Sequence, residues 1–446
     1  MESKKGESAN IEELKEKSRN YSIKDGLFST IKDSILGNYI TPFAIAINSP
    51  DYMIGLLSSI PGLLGPISEW RSSRLIGKHT RKKIILKSVF FEILTYIPLT
   101  LTALLFYYGI ITSFLPMILL IAFSLYTITA NAGSPAWFSL IGDLVDEDKR
   151  GRWFGKRTAI FSVITIFSAL IGAALLDFLK SKDLAIFGFA LLFLIAMIAR
   201  IFSRYYLSKH HEPEIKIEKD HYFSFATFIK KAPFNNFGRF AIFRALLTGA
   251  QYIAGSFFTV YMLKDLHFSY ITLIIVNISA TVFTLLCINW WGKFSDKYGN
   301  YQVLKITVIL IGLCPITWLF NKNPIYLILV PQLLSGIGWG GFNLAASNYI
   351  FDCVTPQKRG LALSYADLLN GIGVFIGGLI GAILVVTIKT NLMNVLLIIF
   401  LISGICRLAV GFIMLPRIKE VKQKEKFHGR EKLKSILKGK IDLFDF

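Results

Sequence analysis

The sequence predicts an all-α, polytopic membrane protein with twelve transmembrane helices arranged as two parallel-repeat six-helix bundles. First, 53% of the 446 residues are hydrophobic and only 17% are charged, whereas soluble domains carry about 25% charged residues. Second, the charged residues cluster between long apolar runs, and about 20 apolar residues in a helix cross a bilayer core. Third, similar short sequences recur in both halves of the chain. These observations place the chain in a lipid bilayer.

The apolar runs define the individual spans. We place the twelve predicted helices at 27–48, 51–73, 84–109, 113–141, 155–178, 184–207, 237–263, 269–292, 302–320, 324–350, 361–388 and 391–415. The first two contain more polar residues than the others. The spans divide the chain into a tail (1–26), an N-terminal bundle (27–207), a linker (208–236), a C-terminal bundle (237–415) and a basic tail (416–446).

The positive charges predict the orientation. Most of the 49 Lys and Arg residues lie in the two tails and in the loops that follow even-numbered spans. Because positively charged loops stay on the cytoplasmic side, we predict that both termini are cytoplasmic and that the protein is a multi-pass protein of the cell membrane.

Several other classes of protein are disfavoured. The net charge of +20 would suit a nucleic-acid-binding protein, but the charges follow the topology and no base-reading motif accompanies them. The six histidines and four cysteines form no cluster with the spacing of a metal site. No nucleotide-binding motif or nucleophile elbow occurs in the sequence. We therefore predict no enzyme activity, no metal or other cofactor and no nucleic-acid partner.

Three landmarks recur in order in the two halves. The loops that begin at Asp143 and Asp352 both read D-x6-R-G. The other two landmarks pair Lys32 and Gly37 with Arg244 and Gly249, and Arg74 and Gly77 with Asp296 and Gly299. Since all three occur in register, we infer two six-helix halves with the same orientation in the membrane.

The loop between spans 8 and 9 carries the most specific sequence. The run Trp290–Asn300 contains Gly292, Asp296 and Gly299, a pattern typical of a tight cytoplasmic turn. We expect Gly292 to let the helix ends approach closely and Gly299 to form a helix C-cap or a left-handed turn. The pattern G-x-x-x-D-x-x-G resembles the loop signature of the major facilitator superfamily of transporters. The segment 257–266 looks like that of a prokaryotic group in which most substrates are unassigned.

The resemblance implies a set of cytoplasmic gate residues. In that superfamily the loop aspartate, here Asp296, braces the N-terminus of a helix from the opposite half, and the loop arginine, here Arg359, helps to hold the cytoplasmic side closed. The gate set implied for this chain is Gly292, Asp296, Gly299, Arg150, Arg359, Asp143 and Asp352. The N-terminal loop departs from the pattern, because Arg74 occupies the aspartate position.

Charged residues within spans are candidates for gating or coupling, because charge in lipid is costly. The set comprises Lys32, Asp33, Glu92, Arg244 and Asp367. Glu92 is placed near the depth of Lys32, and Asp367 is placed to meet Arg244. Such pairs act as gates, as proton carriers or as static ion pairs that fix helix packing. For Arg200 and Arg407 we consider two roles: a static ion pair that sets helix packing, or a side chain that snorkels to the membrane surface.

The middle of the predicted spans is polar but almost uncharged. The candidate cavity-lining residues are Asn38, Tyr39, Asn131, Ser134, Gln251, Tyr252, Asn277, Trp339, Asn343 and Asn370. Interhelical hydrogen bonding is the alternative role for such residues. If they line a cavity, its lack of central charge predicts a neutral or weakly charged, partly aromatic or apolar solute. Glycines 373, 377 and 381 form a small-residue face for close helix packing.

The resemblance and the polar stripes together predict a secondary active transporter that moves a small organic solute by alternating access. A proton is the candidate coupling ion, since Asp33, Glu92 and Asp367 are the available intramembrane carboxylates. The alternatives are a passive facilitator without ion coupling and a non-transporting membrane sensor or scaffold. We expect a monomer whose partners are the solute, the proton and the lipid bilayer.

Overall fold

The computed structural model describes residues 2–76, 78–145, 150–213 and 224–422, without the side chains of 2–11, 150–152 and 356–359. The chain in these ranges is mostly helical. Its α-helices are α1 (Glu2–Ala46), α2 (Asp51–Ser73), α3 (Arg81–Tyr107), α4 (Leu115–Ala132), α5 (Ser134–Leu144), α6 (Arg150–Lys180), α7 (Ala185–Ser208), α8 (Phe225–Lys231), α9 (Asn236–Tyr252), α10 (Phe257–Val260), α11 (Tyr270–Tyr298), α12 (Asn300–Thr317), α13 (Pro324–Leu327), α14 (Leu333–Cys353), α15 (Pro356–Thr387) and α16 (Val395–Met414).

The chain forms two compact units. The first comprises Met1–Lys219 with Thr259–Ile274, and the second comprises Asp220–Phe258 with Ile275–Phe446. In the first unit α1 packs on α6 and α7, and α3 packs on α4 and α7. In the second unit α9 packs on α15 and α16, and α12 packs on α14 and α16. The same helix pairing therefore recurs in both units, as expected for an internal repeat.

Ten helical segments of the described residues are long and apolar enough to cross a membrane. They correspond to the third through twelfth predicted spans. Helices α1 and α2, which hold the first two predicted spans, do not meet this measure of length and composition. Both carry polar residues, and α2 also contains Pro61 and Pro66. The all-helical membrane fold is confirmed, whereas the count of twelve stays a prediction.

Several predicted spans are interrupted rather than continuous. The fourth span divides at Gly133, with Pro135 in the first turn of α5. Proline fits that position because it has no N–H to donate. The tenth span begins with α13 and a π-helical turn, Ile328–Gln332, that contains Pro331. Such interruptions leave carbonyl groups free for side chains to bind.

The seventh predicted span also breaks, and the buried Arg407 supports the break. Helix α9 ends at Tyr252 and α10 begins at Phe257. Arg407, which is 2% exposed, donates to the carbonyl of Gln251 at 3.3 Å and to that of Ile311 at 3.1 Å. The Ile311 carbonyl lacks its helical donor because Pro315 has no N–H. Arg407 thus satisfies carbonyl groups at two helix irregularities.

Replacing Arg407 with methionine should destabilise the protein. The variant leaves the Ile311 carbonyl buried without this donor, at a cost of about 1–3 kcal/mol. The Gln251 carbonyl keeps its hydrogen bond from the Ala254 N–H at 3.2 Å. The measurement is thermal unfolding of the purified protein in detergent. Arg204→Met, at an exposed arginine of α7, is the control and should unfold near the wild-type temperature. An unchanged melting temperature for Arg407→Met would contradict the supporting role.

The loop around Asp296 differs from the predicted turn. Helix α11 continues through Asp296 to Tyr298, and α12 begins at Asn300. The connection is therefore the single residue Gly299, with φ of 93°, as the prediction of a left-handed glycine required. Gly292 lies within α11, and a Cβ there would meet no atom of the described residues within 4 Å, so the expected close approach of helix ends is not found among those residues.

Candidate functional site

The first unit contains a cavity of about 360 Å³ among its membrane helices. Helices α1, α3, α4, α5, α6 and α7 supply the walls. The polar and aromatic lining residues are Asp25, Ser29, Lys32, Asp33, Tyr126, Thr127, Asn131, Ser134, Trp137, Phe138, Arg157 and Arg200. Ser88 of α3 packs against Gly133, at the break between α4 and α5. The cavity is large enough for a small organic molecule and is lined by charges of both signs.

An ion network forms one wall of this cavity. The Lys32 ammonium lies 2.6 Å from an Asp33 oxygen and 2.9 Å from Glu92 Oε1. The other Glu92 oxygen accepts from Arg200 Nη2 at 2.7 Å and from Arg200 Nε at 2.9 Å. The Glu92 side chain is fully buried, with 0% exposure. One carboxylate of α3 therefore holds cations from both α1 and α7.

The network continues from α7 back to α1. Arg200 Nη1 donates to Ser203 Oγ at 2.8 Å, and that hydroxyl donates to Asp25 Oδ1 at 2.6 Å. Asp33 differs from its neighbours because 58% of its side chain is exposed. Buried ion pairs with good geometry offset the cost of desolvating their charges. Glu92 and Arg200 thus connect α1, α3 and α7, whereas the Asp33 side chain is exposed on the cavity lining.

Arg157 of α6 lies in an aromatic environment. Its guanidinium carbon is 4.6 Å from the ring centre of Trp137, 4.4 Å from that of Phe161 and 5.8 Å from that of Trp153. Trp153 and Phe161 reach it from the same helix because they are four residues away on either side. Such stacking stabilises a cation by about 0.5–2 kcal/mol.

The second unit contains a separate pair. Arg244 on α9 and Asp367 on α15, which the sequence analysis placed near each other, lie 2.9 Å apart. Both side chains are partly exposed. Of the carboxylates assigned to the gate, Asp352 contacts Lys422 at 2.7 Å and accepts from Asn300 at 3.1 Å. Arg150 and Arg359 lie outside the residues whose side chains are described.

The predicted cavity residues are distributed between the two units. In the first unit, Asn131 and Ser134 line the cavity. Asn38 donates to the Ser34 carbonyl, and the buried Tyr39 hydroxyl donates to the Ala169 carbonyl. In the second unit, Gln251 and Tyr252 end α9, Asn277 lies in α11, Trp339 and Asn343 lie in α14, and Asn370 lies in α15.

The sequence analysis missed a polar cluster centred on one arginine, Arg81, which precedes the predicted span 84–109. The fully buried Arg81, at the start of α3, contacts the carboxylate of Asp143 and donates to the Pro213 carbonyl at 2.8 Å. Glu212 accepts from the backbone N–H of Arg81 and so caps α3. His210 lies in the linker (208–236) that follows α7, and burial lowers the pKa of its imidazole. The sequence analysis did not use Thr80, whose side chain caps α3 by accepting from the Lys83 N–H and which could have located this helix start.

Helices that cross a membrane around a polar, charged cavity define a class of solute transporters. A comparison with protein families agrees with this class. The Major Facilitator Superfamily profile matches residues 26–320 and 240–442. The chain belongs to the major facilitator superfamily.

Individual relatives match only over short stretches. The chain is 32% identical over 94 residues to the uncharacterized MFS-type transporter YfiU of Bacillus subtilis, which is 21% of this chain and 18% of the relative. It is 30% identical over 98 residues to the vacuolar basic amino acid transporter 1 of Saccharomyces cerevisiae, covering 22% and 17%. The match thus spans less than a fifth of either relative.

Solved structures match over the whole fold. The nucleoside transporter NupG aligns with a TM-score of 0.64 at 17% identity, covering 91% of this chain and 98% of that chain. A bacterial homologue of the iron transporter ferroportin in the inward-facing state aligns with a TM-score of 0.68 at 15% identity, covering 90% and 98%. At these identities the likeness establishes the shared fold and leaves the solute open.

Proposed function

We propose that the chain is a secondary active transporter that moves a small organic solute across the cell membrane by alternating access. Both termini are cytoplasmic and a monomer is the working unit in this proposal. The observation that carries it is the charged cavity of about 360 Å³ within the membrane helices of a superfamily member. The recurring helix pairing of the two units supports a mechanism in which two similar halves move around a bound solute.

The solute site in this proposal is the cavity of the first unit. Its polar wall, which includes Thr127, Asn131 and Ser134, offers hydrogen-bonding groups. Trp137 and Phe138 offer aromatic surface. A site of this composition suits a molecule with a polar group and an apolar body.

We further propose that protons drive transport through Asp33. Both oxygens of the buried Glu92 face cations, from Lys32 and Arg200. That leaves Glu92 no contact with cavity water. Asp33 pairs with the same Lys32 but is largely exposed. A proton on Asp33 would release Lys32 from one of its two carboxylates, so protonation and the charge of the cavity wall are linked.

Asp33→Asn is expected to abolish uptake against a concentration gradient. A gradient of one pH unit supports about tenfold accumulation if one proton accompanies each solute, because one pH unit is 1.36 kcal/mol. In proteoliposomes with an imposed pH gradient, the wild type should accumulate a solute that binds, whereas Asp33→Asn should only equilibrate it. Asp183→Asn, at an exposed carboxylate beyond α6, is the matched control.

The same assay separates the alternatives. If the wild type transports a bound solute at a rate that does not depend on the pH gradient, the protein is a passive facilitator. Binding without any flux would indicate a sensor or scaffold. Full accumulation by Asp33→Asn would overturn the role of Asp33 and leave transport itself standing.

A further inference from the structure

Arg157 is a cation on the lining of the cavity, which it shares with the carboxylates of Asp25 and Asp33. No carboxylate oxygen of the described residues lies within 4.0 Å of its guanidinium, although ion pairs hold Lys32, Arg81, Arg200 and Arg244. Its Nε is buried and has no hydrogen-bond partner among the described residues. An unmade hydrogen bond at a buried donor costs about 1–3 kcal/mol. An arginine in this state gains from any acceptor that reaches it.

The other cations of the cavity are already bound. Lys32 faces Asp33 and Glu92, and Arg200 holds Glu92 and donates to Ser203. An anion that enters the cavity therefore meets one guanidinium that forms no ion pair within 4.0 Å with a carboxylate of the described residues. The position of Arg157 on the lining of the cavity makes that contact available to a solute.

The surroundings of Arg157 select the shape of the anion. Aromatic rings of Trp137 and Phe161 stack on the guanidinium, so the N–H groups at its edge are the donors left for a ligand. A planar carboxylate fits such an edge with two parallel hydrogen bonds. The exposed aromatic ring of Phe138, also on the lining, offers apolar surface for the rest of the molecule.

The carboxylates of the cavity limit the charge of the ligand. Asp25 and Asp33 lie on the same lining as Arg157, and like charges within a cavity repel. A ligand with several negative charges would meet both carboxylates, whereas a single carboxylate can lie against Arg157 alone. The lining therefore favours a monoanion over a phosphate dianion or a polyacid.

We propose that Arg157 binds the carboxylate of a monoanionic organic acid with an aromatic or apolar body, and that this acid is the transported solute. The inference rests on the proposed function, and it replaces the neutral or weakly charged solute that the sequence suggested. In the sequence, Arg157 lies at the start of the predicted span 155–178, beside a basic loop, where an arginine is ordinarily a topology signal.

The test is binding of matched acid and amide pairs to the purified full-length protein. The probes are benzoate with benzamide, indole-3-acetate with indole-3-acetamide, and inorganic phosphate. Binding is followed by tryptophan fluorescence, because Trp137 and Trp153 contact Arg157, and by the shift in melting temperature. We expect at least one acid to bind at least about tenfold more tightly than its amide, as loss of a charged hydrogen bond predicts.

Variants of Arg157 test whether this side chain causes the tighter binding of the acid. Arg157→Gln should abolish the preference for the acid, and Arg157→Lys, which keeps the charge without the planar fork, should retain part of it. Arg204→Gln is the matched control, since Arg204 also stacks on an aromatic ring, that of Phe90 at 5.5 Å, outside the cavity lining. If Arg157→Gln does not fold, the test rests on Arg157→Lys, in which the preference for the acid should be weaker than in the wild type.

Three results would overturn the inference: no acid binds, acids and amides bind equally, or the preference for acids is as strong in Arg157→Gln or Arg157→Lys as in the wild type. Flux separates this failure from failure of the proposed function. If only neutral solutes bind and are transported, the proposal of an acidic solute is refuted while the proposal of transport is supported. Acids that bind through Arg157 without flux in proteoliposomes would support the subsite and refute transport.

Discussion

Replacing Glu92 with alanine is expected to cost about 3–5 kcal/mol of stability, because breaking a buried ion pair leaves its partner charges uncompensated. Here two partners are affected. Lys32 loses one of its two carboxylates, and Arg200 loses the acceptor of two of its hydrogen bonds. Both cations lie in the interior of the first unit. The readout is the melting temperature of the purified protein together with its yield from membranes.

Two further variants test the same reasoning. Glu92→Gln keeps the shape and one acceptor oxygen, so we expect a smaller loss than for alanine. Glu13→Ala is the control, because Glu13 forms an exposed ion pair with Lys17 on α1 and such pairs contribute about 0–1 kcal/mol. Equal melting temperatures for Glu92→Ala and Glu13→Ala would refute the structural role of this network.

Gly377→Ala should produce the second large effect. A Cβ at Gly377 would lie 1.9 Å from the carbonyl oxygen of Gly249, so α9 and α15 would have to separate. Gly373 and Gly381 approach α9 in the same way, at Ala245 and Ile253. Overpacking of a close contact costs about 1–3 kcal/mol and occasionally more. Loss of folded protein in size-exclusion chromatography and a lower melting temperature are the measurements.

Gly155→Ala provides a control of opposite sign. It lies within α6, and a Cβ there would meet no atom of the described residues within 4 Å. Alanine favours an open helical position by about 0.5–1 kcal/mol over glycine, so this variant should be as stable as the wild type or more stable. A Gly377→Ala protein as stable as Gly155→Ala would show that α9 and α15 are not packed as the structure has them.

Sequence patterning predicted the membrane class and the repeat because both depend on local features. Apolar runs of the length of a bilayer define helices without any tertiary information. The D-x6-R-G loops and the G-x-x-x-D-x-x-G loop are contiguous sequences. The family could be inferred from them. The helix interruptions at Gly133 and at Ile253 could not be inferred from the sequence. Neighbouring side chains such as Arg407 determine whether the freed carbonyl groups are satisfied.

Charge pairing was predictable only where one partner was obvious. Arg244 has Asp367 as a carboxylate of similar depth on the paired helix. Glu92 was placed near Lys32, but its second partner Arg200 was assigned to a static pair or the membrane surface, since the sequence does not reveal that α7 lies between α1 and α3. The sequence analysis did not single out Arg157 for the same reason. Membrane depth can be inferred from a sequence, whereas the direction in which a side chain points needs the packing.

The single-residue connection at Gly299 leaves no slack between α11 and α12. The amide of Gly299 still donates to the Ser295 carbonyl, and Asn300 already begins the next helix. A hinge needs several residues to absorb a change in backbone angles, and Gly299 alone, held at φ of 93°, provides little of that range. The ends of the two helices at Gly299 are therefore held close together, since no further loop residue lies between them to absorb a change in their separation.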